Sequence, residues 1–225
     1  MAESSSDGGR LERPPPRLAV FVDYDGTITD RDTFDVLVRQ SSSPEQWAMQ
    51  ESHLHDGSMS LRDVLAAQAR SIRGTIEQAD ALLARTTTFD PAFAAFARRC
   101  EFAGIPLVVL SSGVQALIER ALQRNGLGHL PVLANSVVAR SDGWCMHFRD
   151  ASDNGHDKAA AVRAARADGT TVVFAGDGYS DFAAAREADR RFAKRGRALE
   201  GYLRKNGVGF TPFVSFAEIA VALFG

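Results

Sequence analysis

Three apolar runs stand out along the chain, and each of them ends in a short polar stretch. They cover Leu18–Val22, Ile105–Leu110 and Thr171–Ala175. A continuous run of this kind is typical of a strand that is buried on both faces of a parallel sheet. Such a strand needs helices packed on either side. The pattern therefore predicts an α/β fold that is built around a parallel sheet.

The segment between the first two runs has a different pattern. Residues 31–88 contain no strand-like run, and their apolar residues recur at helical spacing. At about 60 residues, the segment is far longer than the roughly 2–6 residues of an ordinary strand-to-helix connection. We therefore predict an inserted helical cap over residues 31–88 and a core formed by residues 18–30 and 89–225.

The rest of the chain alternates further helices and strands. A helix is predicted over Pro91–Ala103, and another from Val114 to the Asn125–Gly126 pair. A short strand at Val132–Ala134 and a hairpin with its turn at Ser141–Gly143 are expected on the flank of the core.

Two carboxylates follow the first apolar run. Asp23 and Asp25 are two residues apart, which places their side chains on the same side of extended backbone, and Gly26 permits a sharp departure from the sheet. At about 4 Å and an effective dielectric constant of about 20, two such charges repel by roughly 4 kcal/mol. The pair therefore requires a cation or a shared proton, unless the string is an ordinary solvated turn.

Two serines follow the second run. Ser111 and Ser112 come just before the helix predicted from Val114. Backbone N–H groups and the helix dipole favour an anion at such a helix start, and a phosphate would fit there. The alternative is that Ser112 is a plain helix N-cap.

Further charged residues lie on either side of the third run: two carboxylates follow it, and a lysine begins the helix that precedes it. Asp177 lies at the tip of the third strand, and Asp181 follows on the first turn of the next helix. Lys158 opens an alanine- and arginine-rich helix behind Asp157, which is placed as its cap. A lysine in that position is usually exposed, so Lys158 gains interest only from the other motifs.

These polar ends are expected to converge, because parallel strands bring their carboxyl ends to one edge of the sheet. A site with Asp23, Asp25, Asp177 and Asp181 is too negative to exist without a cation. Oxygen ligands suit Mg²⁺, and the lack of His or Cys at the strand ends argues against zinc. Magnesium beside Lys158 and a helix amino terminus describes a site that handles phosphate.

Composition and charge narrow the class of protein. The 225 residues, 45% hydrophobic and 24% charged, suit one domain with a smaller insertion. A formal net charge of -2 gives no basic surplus for nucleic acid or an anionic membrane, so neither is an expected partner. Cys100 and Cys145 stand far apart, which favours buried, inert thiols over a disulfide framework or a zinc site.

The ends and links of the chain allow three further expectations. Residues 1–17 are rich in Ser, Gly, Pro and charge, and are expected to form a disordered leader without the apolar core of a signal peptide. No later run approaches the roughly 20 apolar residues of a membrane span, so we expect a soluble, cytoplasmic protein. His53, His55 and Asp56 superficially resemble a metal cluster, but they are predicted to fall in an exposed link, which disfavours metal binding.

Taken in order, the motifs resemble those of the haloacid-dehalogenase-like superfamily of phosphatases. Four motifs carry the resemblance: Asp23-x-Asp25-Gly26-Thr27, Ser111 after a strand, Lys158, and Gly176-Asp177-Gly178-x-x-Asp181. The likeness spans about Leu18–Phe224, and the helical insertion resembles the cap of the phosphoserine-phosphatase-like branch. Within that branch, the first motif and the hairpin look closest to the 2-hydroxy-3-keto-5-methylthiopentenyl-1-phosphate phosphatases. The resemblance implies a Rossmann-like parallel sheet with an inserted helical cap.

The resemblance also implies catalytic and metal-binding roles. Asp23 would be the nucleophile that forms an aspartyl phosphate. Asp25 would protonate the leaving alcohol and then deprotonate the hydrolytic water. Mg²⁺ would be held by Asp23, the backbone carbonyl of Asp25 and Asp177, with Asp181 supporting the metal through a water or a second layer of contacts.

For the substrate, the resemblance implies a small phosphorylated metabolite. Ser111, Ser112, Lys158 and nearby N–H groups would bind the phosphoryl oxygens. The phosphoserine enzymes carry a Glu after the first motif and an Arg in the cap, which recognise an ammonium and a carboxylate. Asp32 stands at the first position here, and an ungapped count places Gln68 at the second, with Arg70 and Arg73 close by, which disfavours phosphoserine. The candidates for substrate contact are Asp32, Phe34, Gln68 and Ser180, with ordinary cap and helix-surface positions as the alternative.

Two other functions stay open at this point. A phosphotransferase would pass the phosphoryl group from Asp23 to an organic alcohol and would keep every motif. A phosphate-dependent binding or regulatory module would need no general acid, so the presence of both Asp23 and Asp25 favours hydrolysis. A dehalogenase is disfavoured because it would lack the second acid that Asp25 supplies. The sequence does not determine the substrate or the oligomeric state.

Overall fold

The computed structural model describes residues 17–55 and 57–225, and within these residues the centre is a seven-stranded sheet. The strands are β1 (Leu18–Asp23), β2 (Leu107–Val114), β3 (Val132–Arg140), β4 (Gly143–His147), β5 (Thr171–Gly176), β6 (Arg190–Lys194) and β7 (Thr211–Phe213). Their order is β4-β3-β2-β1-β5-β6-β7, and every neighbouring pair is parallel except β3 and β4. The predicted α/β fold with its parallel sheet is confirmed. The leader lies outside the described residues except for Arg17.

Ten helices surround the sheet in the described part of the chain. They are α1 (Thr33–Ser41), α2 (Pro44–His55), α3 (Leu61–Ala69), α4 (Ile76–Thr86), α5 (Phe93–Phe102), α6 (Gln115–Arg124), α7 (Lys158–Ala167), α8 (Phe182–Glu187), α9 (Ala198–Lys205) and α10 (Phe216–Phe224). A single 3₁₀ turn, Tyr179–Asp181, leads into α8. None of these helices combines the length and the apolar character that a bilayer crossing needs.

Strand β1 is buried on both faces, as its unbroken apolar run predicts. Val20 and Val22 point into one core cluster with residues of α5, α6 and α10, whereas Ala19 and Phe21 point into a second cluster with residues of α7, α8 and α9. Each fully buried side chain of this size stabilises the fold by about 1.5–3 kcal/mol relative to an exposed one. This packing holds the end of β1, and therefore Asp23, in a rigid frame.

Helices α1–α4 form the inserted segment, whose two ends are paired with each other. Thr29 and Phe89 form an isolated antiparallel bridge, and the Asp30 amide donates to the Thr88 carbonyl (3.0 Å). Apolar residues of α1, α3 and α4 form a third cluster that includes Trp144 of β4 and Leu117 of α6. The division of the chain into a core and a cap stays an interpretation, and these paired ends are what support it.

Ser111 and Ser112 do not lie at the start of a helix. They belong to β2, which stays extended as far as Val114, and α6 begins only at the next residue. The register of β2 against β3 shifts between Leu110 and Val114, and this irregularity carries the chain past the sheet edge without a helical turn. The expected position of these serines at a helix start, and the alternative of Ser112 as a helix N-cap, are therefore both wrong, whereas their contact with phosphate stays a prediction.

The predicted hairpin is present, with residues 136–140 paired to β4, and it contacts the cap. The short strand expected at Val132–Ala134 is the first part of a continuous β3. Trp144 in β4 is 1% exposed, and its Nε1 donates to the carbonyl of Gly74 (2.9 Å). The hairpin therefore supports the helical segment as well as flanking the core.

Smaller differences concern prolines, histidines and a cysteine. Strand β2 and helix α5 each begin two residues later than predicted, because Pro106 has no N–H for the strand ladder and Pro91 lies in a turn.

His53 and His55 lie in α2 rather than in a link, and Asp56 is outside the described residues. Cys100 is buried as expected, whereas Cys145 is only partly buried.

Candidate functional site

The polar ends of three strands meet at one edge of the sheet. Asp23 ends β1 and pairs with Leu110, so it lies beside Ser111 on β2. On its other side, Val22 pairs with Ala175, which places Asp177 next to the same corner. The expected convergence of these residues is present in the structure, and their chemical roles stay predictions.

Lys158 is buried at the centre of this corner. Its Nζ donates to Asp23 Oδ1 (2.5 Å), Asp181 Oδ1 (2.7 Å) and Ser180 Oγ (3.0 Å), and the side chain is 1% exposed. Burial alone would lower the pKa of this ammonium, but the carboxylates of Asp181 and Asp23 outweigh it and raise the pKa. The exposed surface position that is usual for such a lysine does not apply. Asp157 is the N-cap of α7, so the helix begins at Lys158.

Asp181 braces the loop that carries Asp177. Its Oδ2 accepts the backbone N–H groups of Asp177 (2.9 Å) and Gly178 (3.0 Å), and the side chain is fully buried. A Cβ on Gly176 would lie 2.5 Å from the same oxygen. Gly26 adopts a φ of 76°, and a Cβ there would collide with Asp177 Oδ2. Both glycines are therefore required by the close approach of backbone to these carboxylates.

Three of these carboxylates fit a metal ion by their chemistry. Oxygen atoms of Asp23, Asp177 and Asp181 all lie within 4.8 Å of one another in a largely buried group. Burial and the Asp181 carboxylate raise the pKa of Asp23 well above its usual value. The negative charges of these carboxylates repel one another, and a bound cation would offset that repulsion. Because all the donor atoms are oxygens, the group suits a hard divalent cation such as Mg²⁺.

Asp25 is held by the first residue of α1 and by β2. Its Oδ1 accepts the backbone N–H (2.9 Å) and the hydroxyl (2.5 Å) of Thr33, and its Oδ2 accepts the hydroxyl of Ser111 (3.1 Å). Ser111 Oγ in turn accepts the N–H of Gly113 (2.8 Å). The position of Asp25 therefore depends on where α1 begins.

A loop after the hairpin supports the serines. His156 Nδ1 donates to the Ser111 carbonyl (3.1 Å), and burial lowers the pKa of this histidine. Ser112 Oγ donates to the carbonyl of Asn154 (3.2 Å). Neither the His156 contact nor the Thr33 contact was predicted. Thr33 carries no motif signal, whereas His156 directly precedes Asp157 and Lys158, which the sequence had already pointed to.

A cavity of about 220 Å³ opens above Asp23, Asp25 and Asp177, beneath α1 and α3. It is smaller than the roughly 300–1,000 Å³ of pockets that hold drug-sized ligands. All four candidate substrate-contact residues line the cavity: Asp32, Phe34, Gln68 and Ser180. Ser112 lines it as well. Helix α3 contributes the apolar residues Leu61, Val64 and Leu65 to the lining. The structure therefore brings the catalytic and substrate candidates to one cavity.

The raised pKa of Asp177 makes a prediction for the metal-free protein. Burial and the Asp181 carboxylate raise this pKa to about 7, from a reference of 3.8. Between these values the folded state holds one more proton than the unfolded state, so its stability falls as pH rises. We expect wild type to lose roughly 2–4 kcal/mol relative to Asp177→Asn from pH 4 to pH 7.

The measurement is denaturant unfolding of both proteins in EDTA across that pH range. Millimolar Mg²⁺ should restore the stability of wild type at pH 7, because a ligand that binds only the folded state stabilises it. If the free energy of unfolding of wild type, relative to that of Asp177→Asn, stayed constant or rose between pH 4 and pH 7, the assignment of this raised pKa to Asp177 would be contradicted.

The fold and the site define an α/β enzyme of the phosphatase kind. Residues 20–186 match the model of the haloacid dehalogenase-like hydrolases, and the chain belongs to this family. The sequence-based prediction of a phosphatase of this superfamily is confirmed.

Three relatives cover nearly the whole chain. Pdp3-interacting factor 1 of Schizosaccharomyces pombe is 32% identical over 213 residues, which is 90% of this chain and 93% of that protein. Polyol phosphate phosphatase PYP1 of Saccharomyces cerevisiae is 26% identical, with 92% of each covered. A 2-hydroxy-3-keto-5-methylthiopentenyl-1-phosphate phosphatase of Microcystis aeruginosa is 29% identical over 89% of this chain and 94% of its own.

Solved structures support the fold. A substrate-bound phosphoserine phosphatase superposes with a TM-score of 0.72 at 16% identity and covers 93% of this chain and 99% of its own. A phosphoserine phosphatase in its apo form gives a TM-score of 0.70 at the same identity, over 93% and 100%. At this identity the likeness concerns the fold alone.

Proposed function

We propose that this enzyme hydrolyses small phosphomonoesters, with Mg²⁺ and through an aspartyl phosphate on Asp23. One observation carries the proposal. Asp23, Asp25, Asp177, Asp181 and Lys158 lie together at the carboxyl edge of the sheet, under a cavity of about 220 Å³. Two relatives named as phosphatases of small metabolites agree with it.

In the first half-reaction, an oxygen of Asp23 attacks phosphorus and the bond to the ester oxygen breaks. Asp25 gives its proton to the departing alcohol. In the second half-reaction, Asp25 takes a proton from water as that water attacks phosphorus, and Asp23 is released with inorganic phosphate. Thr33 and Ser111 hold the Asp25 carboxylate at a fixed position, so one side chain serves as acid and then as base.

Asp23, the backbone carbonyl of Asp25 and Asp177 would hold Mg²⁺, which supplies charge that stabilises the phosphoryl oxygens. Both oxygens of Asp181 already accept hydrogen bonds, from Lys158 and from two backbone amides. Asp181 therefore supports the metal site rather than binding the ion directly. Lys158, Ser111 and Ser112 would bind the phosphoryl group.

Phosphate release from a panel of small phosphomonoesters, with Mg²⁺ or with EDTA, tests the proposal. We expect release only with the metal. Product analysis with added glycerol or ethanol distinguishes hydrolysis from transfer, since a phosphotransferase would yield a new phosphoester. A well-folded protein that releases phosphate from no ester in the panel would contradict the proposal and favour a binding module.

A further inference from the structure

Asn135 is a fully buried polar side chain on β3 that has no role in the reaction described above. Its Nδ2 donates to the carbonyl of Ser112 (2.8 Å), and its Oδ1 accepts the backbone N–H of Arg149 (3.0 Å). The two partners determine the orientation of the amide, because a backbone N–H can only donate and a carbonyl can only accept. Burial of an amide is costly unless it is hydrogen-bonded, so these contacts are what allow Asn135 in the core.

The carbonyl of Ser112 needs this donor because β2 is out of register with β3 at this point. Three residues of β2, 111–113, lie opposite Ala134 alone, between the paired positions on either side. Regular strand pairing cannot satisfy every backbone group of such a bulge. The side chain of Asn135 supplies a partner for one of these groups, and His156 supplies a partner for the carbonyl of the residue before Ser112 (3.1 Å).

The peptide that Asn135 binds leads directly to Asp25. The carbonyl of Ser112 and the N–H of Gly113 belong to one planar peptide unit, so holding one holds the other. That N–H donates to Ser111 Oγ (2.8 Å), and Ser111 Oγ donates to Asp25 Oδ2 (3.1 Å). Three hydrogen bonds in series therefore connect the Asn135 amide to the Asp25 carboxyl group.

The backbone of this segment also lies against Asp25. A Cβ on Gly113 would be 2.6 Å from Asp25 Oδ2 and 3.0 Å from Ser111 Oγ, so no side chain fits between them. A shift of the segment would therefore move the Asp25 carboxyl group. A displacement of about 1 Å at a reacting group can lower a rate by about 10²-fold.

We propose that Asn135 is a positioning residue for Asp25. By binding the Ser112 carbonyl, it holds the Ser111 hydroxyl against Asp25 Oδ2 and keeps this acid aligned with the ester oxygen that leaves. The inference rests on the proposed function, because it concerns the step in which Asp25 protonates the departing alcohol.

Two small substrates with different leaving groups test this role in the presence of Mg²⁺. Ethyl phosphate and acetyl phosphate have nearly the same size, but ethoxide needs a proton to leave, whereas acetate leaves as a stable anion. We expect Asn135→Leu, which removes the amide at similar volume, to lower kcat/KM for ethyl phosphate at least about tenfold more than kcat/KM for acetyl phosphate. Partial unfolding, or weaker binding of the phosphoryl group, would lower both values equally. Asn135→Asp, which keeps an acceptor for the Arg149 amide, serves for the same comparison if Asn135→Leu does not fold.

A double substitution tests whether Asn135 acts through Ser111. Ser111→Ala removes the hydroxyl that contacts Asp25 and should change the ratio of the two kcat/KM values in the same direction. In Ser111→Ala/Asn135→Leu, the ratio should stay within about threefold of its value in Ser111→Ala, because both residues belong to one series of contacts. Val132→Ala removes buried methyl groups from the same strand and should leave the ratio at its wild-type value.

The outcomes separate this inference from the proposed function. A ratio that is unchanged in Asn135→Leu, or that Val132→Ala lowers as much, would mean that Asn135 has only a structural role. Fully multiplicative effects in the double variant would mean that it does not act through Ser111. Either result would overturn the inference alone, whereas a wild type that releases phosphate from no alkyl ester would overturn the proposed function and the role of Asn135 with it.

Discussion

Asp23→Asn is expected to abolish phosphate release, with a fall in kcat of about 10⁴-fold or more, because the amide cannot act as the nucleophile. The fold should persist. Burial and the Asp181 carboxylate raise the pKa of Asp23, so a neutral side chain is easier to bury than the carboxylate that it replaces. The asparagine oxygen can still accept the Lys158 hydrogen bond. We therefore expect a metal-free variant that is at least as stable as wild type.

The measurement is steady-state kinetics on the best ester of the panel, together with thermal unfolding in EDTA. Asp142→Asn makes the same chemical change at an exposed hairpin turn and should keep full activity. Activity within tenfold of wild type would contradict the nucleophile role. A variant that is inactive and also unfolded would instead indicate a structural role for the carboxylate.

The site residues that could be predicted are those attached to the ends of apolar strands. Asp23, Ser111 and Asp177 each follow a run that is buried on both faces, so the sheet itself determines where they meet. The chemistry of the corner follows from residue type, because four carboxylates in a small volume require a cation. The group of carboxylates that could hold a metal, Asp23, Asp177 and Asp181, therefore consists of residues that the sequence had assigned to a cation site.

Contacts that depend on the meeting of separate loops could not be predicted. Thr33 reaches Asp25 only because α1 starts beside it, and His156 reaches Ser111 through a loop that follows the hairpin. The extended conformation of Ser111 depends on a local register shift in β2, which hydrophobic periodicity does not report. The burial of Lys158 likewise follows from packing and not from its position in α7.

Strands β6 and β7 were absent from the predicted elements for a simpler reason. β6 carries Arg190, Arg191 and Lys194 around just two buried residues, so it lacks an apolar run. β7 is three residues long and contains Pro212, which sequence patterns associate with a turn or an edge. Their pairing at one side of the sheet compensates for the weak local signal. No residue of either strand lines the cavity above Asp23, so the site could be predicted without them.

Lys158→Met is expected to impair both stability and catalysis, because the ammonium compensates two buried carboxylates. Removing it leaves Asp23 and Asp181 without their shared partner, and breaking a buried ion pair in this way costs about 3–5 kcal/mol of the free energy of unfolding. Loss of a positive charge from the phosphoryl site should also lower kcat by about 10²–10³-fold. Denaturant unfolding and steady-state kinetics measure the two effects separately. Lys205→Met, at the exposed end of α9, should change stability by no more than about 0.5 kcal/mol.

A double substitution separates the two roles of Lys158. In Lys158→Met/Asp181→Asn the second buried charge is removed, and the asparagine oxygen can still accept the amides of Asp177 and Gly178. We expect this protein to regain part of the stability lost in Lys158→Met, while its kcat stays low because the phosphoryl site still lacks the ammonium. Recovery of both properties would mean that Lys158 acts only by compensating Asp181. Recovery of neither would mean that Asp23 is the partner whose charge governs stability, since it is the carboxylate still left unpaired.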